Sequence, residues 1–267
     1  VGLASAADSV TIGGPASARS IGLRGTGAVE GVNMTATAGN LTINAGTSID
    51  AGTLAATGGN VLLTAAGDIR TGELTAILAP IGGGTIDVES TGGAIDLGRL
   101  TADLGIDLDA LGAVLVTGGM TARSGSITAD GRSIRIIGAG TATRGGIRLT
   151  AIGSILTDAL TATRASNVGG AIDIESTGTG MNAGVLGLGA LLADLGIELD
   201  ARGSITTGAL TARNGAVDVE GASITVSGAT AATGGNVRLL ASGAISTGTI
   251  NAARAAGVGG AIDIDST

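Results

Sequence analysis

Acidic residues are the side chains of this sequence best equipped for chemistry, and they recur at two spacings. Asp107 and Asp109 stand two residues apart, as do Glu198 and Asp200, so in an extended strand each pair lies on one face. Paired carboxylates of this kind could hydrolyse a glycosidic bond. At the longer spacing, Asp87 is followed by Asp107, and Asp173 by Glu198 and Asp218, with Arg148 and Arg238 at matching positions. Carboxylates stacked that closely could share a calcium ion. The GGxGxD repeat of calcium-binding coils is absent, so the expectation is a solvated acidic face, offset by the two arginines, with no metal site. No catalytic or cofactor-binding residue is assigned either, because sugar-cleaving clefts rely on aromatic platforms and this chain has no aromatic residue.

Two other residue types recur. Thr-Ala-Thr occurs at Thr35 and Thr37, Thr141 and Thr143, and Thr161 and Thr163, with Thr75, Thr101, Thr121 and Thr211 near the same position of the repeat. A flat outward array of this kind resembles those of ice-binding proteins, but Arg123 and Arg213 interrupt it, and threonine suits any strand. Asn33-Met-Thr and Asn40-Leu-Thr fit the N-glycosylation pattern. Such short matches are common by chance in a threonine-rich chain.

The composition removes whole classes of function. Across 267 residues there are 51 glycines and 2 prolines, and no Cys, His, Phe, Tyr or Trp. Without Cys and His the usual zinc, haem and iron–sulfur sites, the Ser-His-Asp and Cys-His nucleophiles and disulfides are all out of reach. All 14 cations are arginine against 22 acids, a net charge of -8, which disfavours nucleic acid as a partner. Mean hydropathy is +0.51, yet the longest apolar run, 183–193, is too short to span a bilayer. No secretory signal is expected at the start of the chain, and the first residue, Val1, points to a processed product or an excerpt.

What positions the acids is a repeat. GGTIDVEST, GGAIDIEST and GGAIDIDST end at Thr91, Thr177 and Thr267, and GIDLDA at 105–110 returns as GIELDA at 196–201. A shorter period of 20 to 25 residues runs inside this one, marked by Val1, Ile21, Leu41, Val61, Ile86, Ile106, Ile127, Ile147, Ile172, Ile197, Val217, Val237 and Ile262. Two places after each stands a second aliphatic residue, Ala129 being the small exception. The residue between is mostly polar or small, as expected of a short strand with one buried face. Further aliphatics follow at Ile49, Ile69, Ile95, Ile134, Ile155, Ile224 and Ile245, and then at Leu54, Leu74, Leu100, Met120, Leu160, Leu210 and Ile250. Each unit therefore supplies three short strands separated by Gly, Asn and Asp corners.

A unit of this length buries its apolar face only by stacking on its neighbours. The spacing predicts an all-β chain, a right-handed parallel β-helix of about twelve coils and the first strand of a thirteenth, on the order of 58 Å long at about 4.8 Å per coil. A strict hexapeptide period would have pointed to the left-handed form. One domain, 1–267, is expected, in blocks 1–85, 86–171 and 172–261 with the start of a fourth at 262–267. Surface insertions are expected around 77–83, 164–170, 177–183 and 254–260.

Runs such as GGNVLLTAAGDIRTGELTA at 58–76, GGIRLTAIGSILTDALTA at 145–162 and GGNVRLLASGAISTGTINA at 234–252 resemble the repetitive shaft of filamentous-haemagglutinin-like exoproteins, bacterial adhesins exported by two-partner secretion. The resemblance covers essentially the whole chain, through a degenerate structural motif. It implies an extracellular or cell-surface, non-enzymatic rod without cofactors that holds a binding region away from the cell. The partners it implies are further coils of a longer chain or end-to-end copies, and a host-cell or surface glycan receptor. The family's amino-terminal secretion domain carries Asn-Pro motifs, whereas Pro15 and Pro80 follow Gly and Ala, so the expectation is shaft alone. A polysaccharide-processing β-helix and an ice-binding face are the alternatives.

Overall fold

Strands of three to five residues succeed one another along the chain, and most of those described bury alternate, mainly aliphatic, positions. The computed structural model describes residues 2–4, 9–77, 84–164, 170–179, 184–254 and 260–267. Of the insertions expected at 77–83, 164–170, 177–183 and 254–260, residues 78–83, 165–169, 180–183 and 255–259 lie outside them. The described residues form an all-β solenoid of three parallel sheets, each coil giving one strand to each sheet. Two compact units can be distinguished: Val1–Ser124 with Thr128–Gly131, and Gly125–Ile127 with Arg132–Thr267.

In unit 1 the first sheet stacks Ile21, Leu41, Val61, Ile86 and Ile106 in register. Leu23, Ile43, Leu63, Val88 and Leu108 form the adjoining column. In unit 2 the same two columns are Ile147, Ile172, Ile197, Val217, Val237, Ile262 and Leu149, Ile174, Leu199, Val219, Leu239, Ile264. Every one of these from Ile21 to Leu239 is buried. Alternation with period two puts Val, Ile and Leu inside and leaves the intervening residues to solvent. Each layer must occupy the same narrow column as the one below it, which aliphatic side chains do and large rings would not.

Where each strand of the first sheet ends, the inward position shrinks to Gly25, Ala45, Ala65, Ser90 and Ala110 in unit 1 and Ala151, Ser176, Ala201, Gly221 and Ala241 in unit 2. The chain turns there toward the second sheet. The two serines are almost fully buried, and their hydroxyls donate to the carbonyls of Gly67 (2.7 Å) and Gly153 (2.9 Å), which removes the penalty of an unpaired buried hydroxyl. At the corner after the third sheet the backbone turns left-handed. Gly58 and Gly234 do this at φ 68° and 78°, and Arg144 adopts the same conformation at φ 67° despite its side chain.

Candidate functional site

The outward face of the first sheet gathers the acids. In unit 2, Asp173, Glu198 and Asp218 are register partners on three successive strands, and Glu175, Asp200 and Glu220 form a second column two residues on. Neighbouring carboxylates in a column therefore stand one strand spacing apart, about 4.8 Å. Arg148 opposes Asp173 on one side and Arg238 opposes Asp218 on the other. Arg148 pairs with Asp173 at 3.6 Å, and Arg238 with Asp218 at 3.1 Å and Glu220 at 3.7 Å. The arrangement expected from the sequence, a column of acids bracketed by two arginines, is thus present. The ion pairs are open to solvent, where each contributes no more than about 1 kcal/mol.

Beside this face runs a groove of about 580 Å³ lined by Glu175, Asp200 and Glu220 on one side and Thr177, Arg202 and Ser242 on the other. Its floor is the column of small residues Ser176, Ala201, Gly221 and Ala241. Glu198, which the sequence paired with Asp200, stands on the open face outside it.

Unit 1 repeats the face with fewer acids. Asp87 partners Asp107, and Glu89 partners Asp109. Leu62 stands opposite Asp87 on the preceding strand, and the Thr128 hydroxyl donates to Asp107 Oδ1. Burial, followed by the charge of Asp107, pushes the Asp87 carboxyl above the usual carboxylate range. Among the described residues no group of three or more acids is drawn together as a metal ion requires.

Corner carboxylates behave in the opposite way. Asp194 Oδ2 accepts the backbone N–H of Arg164 at 2.8 Å and Oδ1 a guanidinium N–H of Arg213 at 3.0 Å; the backbone bond first, then Arg213, holds its carboxyl below the usual range. Asp68 does the same with the N–H of Ala94 at 3.0 Å and Arg70 at 2.7 Å, and is lowered for the same reasons.

The threonines form broken ladders on the third sheet. Thr75, Thr101 and Thr121 are stacked in unit 1, and in unit 2 Thr141 meets Thr161 and Thr143 meets Thr163. Leu192 then replaces threonine beside Thr161, Thr211 follows, and Thr35 faces Ala55. Arg123 and Arg213 at the rim are tied to Asp103 and Asp194.

Asn33 and Asn40, both exposed, accept the backbone N–H groups of Thr53 and Asn60 at 2.9 Å each through their side-chain oxygens. Asn60 passes the pattern on to Thr85 at 3.1 Å. This use of asparagine as a coil-to-coil clamp was not read from the sequence. Its signal was the 20-residue step from Asn33 to Thr53 and from Asn40 to Asn60. Compared with known protein families, curated proteins and solved structures, the chain matches none.

Proposed function

We propose that the chain is a structural rod segment of a secreted or surface-displayed, adhesin-like bacterial filament, acting without catalysis. The observation that carries this reading is the uniformity of the stack. In the first sheet of each unit successive coils lay Val, Ile or Leu on Val, Ile or Leu, and the outward columns are solvated side chains in simple register. Coils that contact only their neighbours extend a shaft without any new kind of interface. Antibodies raised against the purified chain should label filaments on intact source cells. Labelling that appears only after the cells are opened would sink the proposal.

The groove favours a second reading, a polysaccharide-processing site. Asp200 and Glu220 are adjacent-strand partners that both line it, and paired carboxylates are what glycosidases use. The check is release of reducing ends from a panel of soluble glycans. Glu220→Gln should abolish that release if the groove is catalytic, and no release from any glycan removes this reading.

A further inference from the structure

The face of unit 1 sets four carboxylates on two adjacent strands, Ile86–Ser90 and Ile106–Ala110, without the brackets seen in unit 2. Their neighbours on the preceding strand, Val61–Ala65, are Leu62 and Thr64. On the following strand, Ile127–Gly131, Thr128 donates to Asp107 and Asp130 shares its outward face. Glu89 and Asp109 flank the pair on its own strands. The arginine of the Glu89 column, Arg24, lies three strands away, beyond Asn44 and Thr64. Arg123, at the corner leading into this sheet, is held by Asp103 at 2.7 Å. Among the described residues no arginine comes within ion-pair distance of these four acids.

We propose that Asp87 and Asp107 form a proton-responsive pair: as the medium acidifies they take up one proton between them, and this part of the sheet tightens while aspartate-clamped corners loosen. Like charges directly opposite in a sheet oppose pairing, and carboxylates one strand spacing apart resist ionising together. The geometry also chooses the site of the proton. Asp107 already accepts a hydrogen bond from the Thr128 hydroxyl. Asp87, between an aliphatic side chain and a carboxylate, gains most by becoming neutral, and its O–H then becomes a donor beside Asp107. The upward displacement at Asp87 agrees.

A group whose value is raised by folding favours the protonated fold. Its contribution is complete below the unfolded value near ~3.9 and is lost as pH rises through the raised value of Asp87. The effect is bounded by solvent screening at an exposed face.

The test uses the full chain and amide exchange corrected for intrinsic rates. From pH 7 to pH 4.5, protection in Ile86–Ser90 and Ile106–Ala110 should rise, by less than about tenfold. Around Arg164, clamped by Asp194, it should stay level or fall. Asp87→Asn should raise protection at pH 7 and remove its pH dependence in these two strands. Asp107→Asn should also raise protection at pH 7 but weaken the pH dependence without removing it, because the burial of Asp87 remains, and 1 M salt should reduce the wild-type response only in part. Protection that falls with acid in both strands, or an Asp87→Asn chain less protected than wild type at pH 7, would overturn the proposal.

Discussion

Asp87 and Asp194 are the same side chain on the same kind of coil, and protons act on them in opposite directions. Asp87 stands on an open face beside Leu62 and a second carboxylate, and its fold favours the neutral acid. Asp194 sits at a corner, 16% exposed, where a backbone N–H of the adjoining coil and Arg213 meet its two oxygens, and its fold favours the anion. The difference teaches where polar residues hold a solenoid together. Face columns are close neighbours with little to exchange except charge. Corners offer donors with no strand partner, and short Asp, Asn and Ser side chains satisfy them from one coil to the next.

The sharpest way to break this division is to put a charge on the inside of a face. Ile172 is 1% exposed, between Ile147 and Ile197 in the inner column. Ile172→Asp forfeits about 1.5 to 3 kcal/mol of burial and leaves a carboxylate with no partner in an apolar lumen. A loss on the order of 5 kcal/mol is expected, with the coils on either side uncoupled. Urea titration followed by circular dichroism measures it. A loss below about 2 kcal/mol would mean that the assigned inward register is wrong.

Next in size is a corner closed to any side chain. A β-carbon on Gly145 would fall on the carbonyl group of Gly125, so Gly145→Ala forces the two backbones apart. Overpacking of this kind costs about 1 to 3 kcal/mol. Gly196 serves as the control, since its β-carbon would meet only Ala216 O at 3.4 Å. Comparing the melting temperatures of the two alanine variants tests whether corners are set by backbone contact, and equal losses would refute it.

The strands, their order and their inward register were legible in the sequence because period two inside a period of 20 to 25 leaves few alternatives. Even Ala129, the weakest member of its column, points inward and is 3% exposed. The corners were not legible. Whether Asp68 clamps Ala94, or Ser176 reaches Gly153, depends on which backbone atoms of the adjoining coil lie beside the side chain, and that follows from turn geometry rather than composition. The acid columns were legible as columns, but their electrostatics were not. Leu62 becomes significant for Asp87 only once the two are register partners, and the small-residue floor of the groove appears only when Ser176, Ala201, Gly221 and Ala241 stack.

A corner clamp is worth less than the buried charge and about as much as the crowded glycine. Asp194→Ala removes two charge-assisted bonds and strands the N–H of Arg164, for a loss of about 2 kcal/mol. Asp194→Asn keeps an acceptor for that N–H and should lose about half as much. Because the folded carboxyl is held below its unfolded value, its stabilisation is present above ~pH 3.9 and disappears as pH falls through the lowered value. The gap between wild type and Asp194→Asn should therefore narrow as pH falls below ~3.9, the reverse of the behaviour expected at Asp87. Urea midpoints at pH 7, 4 and 2.5 measure both.

The smallest effect is expected one residue from the largest. Asp173 follows Ile172 but faces out, and its only ion pair among the described residues is with Arg148 at 3.6 Å, the two side chains being 45% and 63% exposed. Such a pair is weak and screened by salt, and Asp173 also stands beside Glu198, a like charge in the same column. Removing it gives up one attraction and relieves one repulsion, both across solvent. Asp173→Ala should therefore change stability by less than about 0.5 kcal/mol, and the sign of the change decides which neighbour matters more. A small loss that vanishes in 1 M salt would assign the balance to Arg148, and a small gain that vanishes in salt would assign it to Glu198. A loss above about 1.5 kcal/mol that salt leaves untouched would show that Asp173 acts as a clamp, and the division between open faces and clamped corners would fail at the centre of the acidic columns.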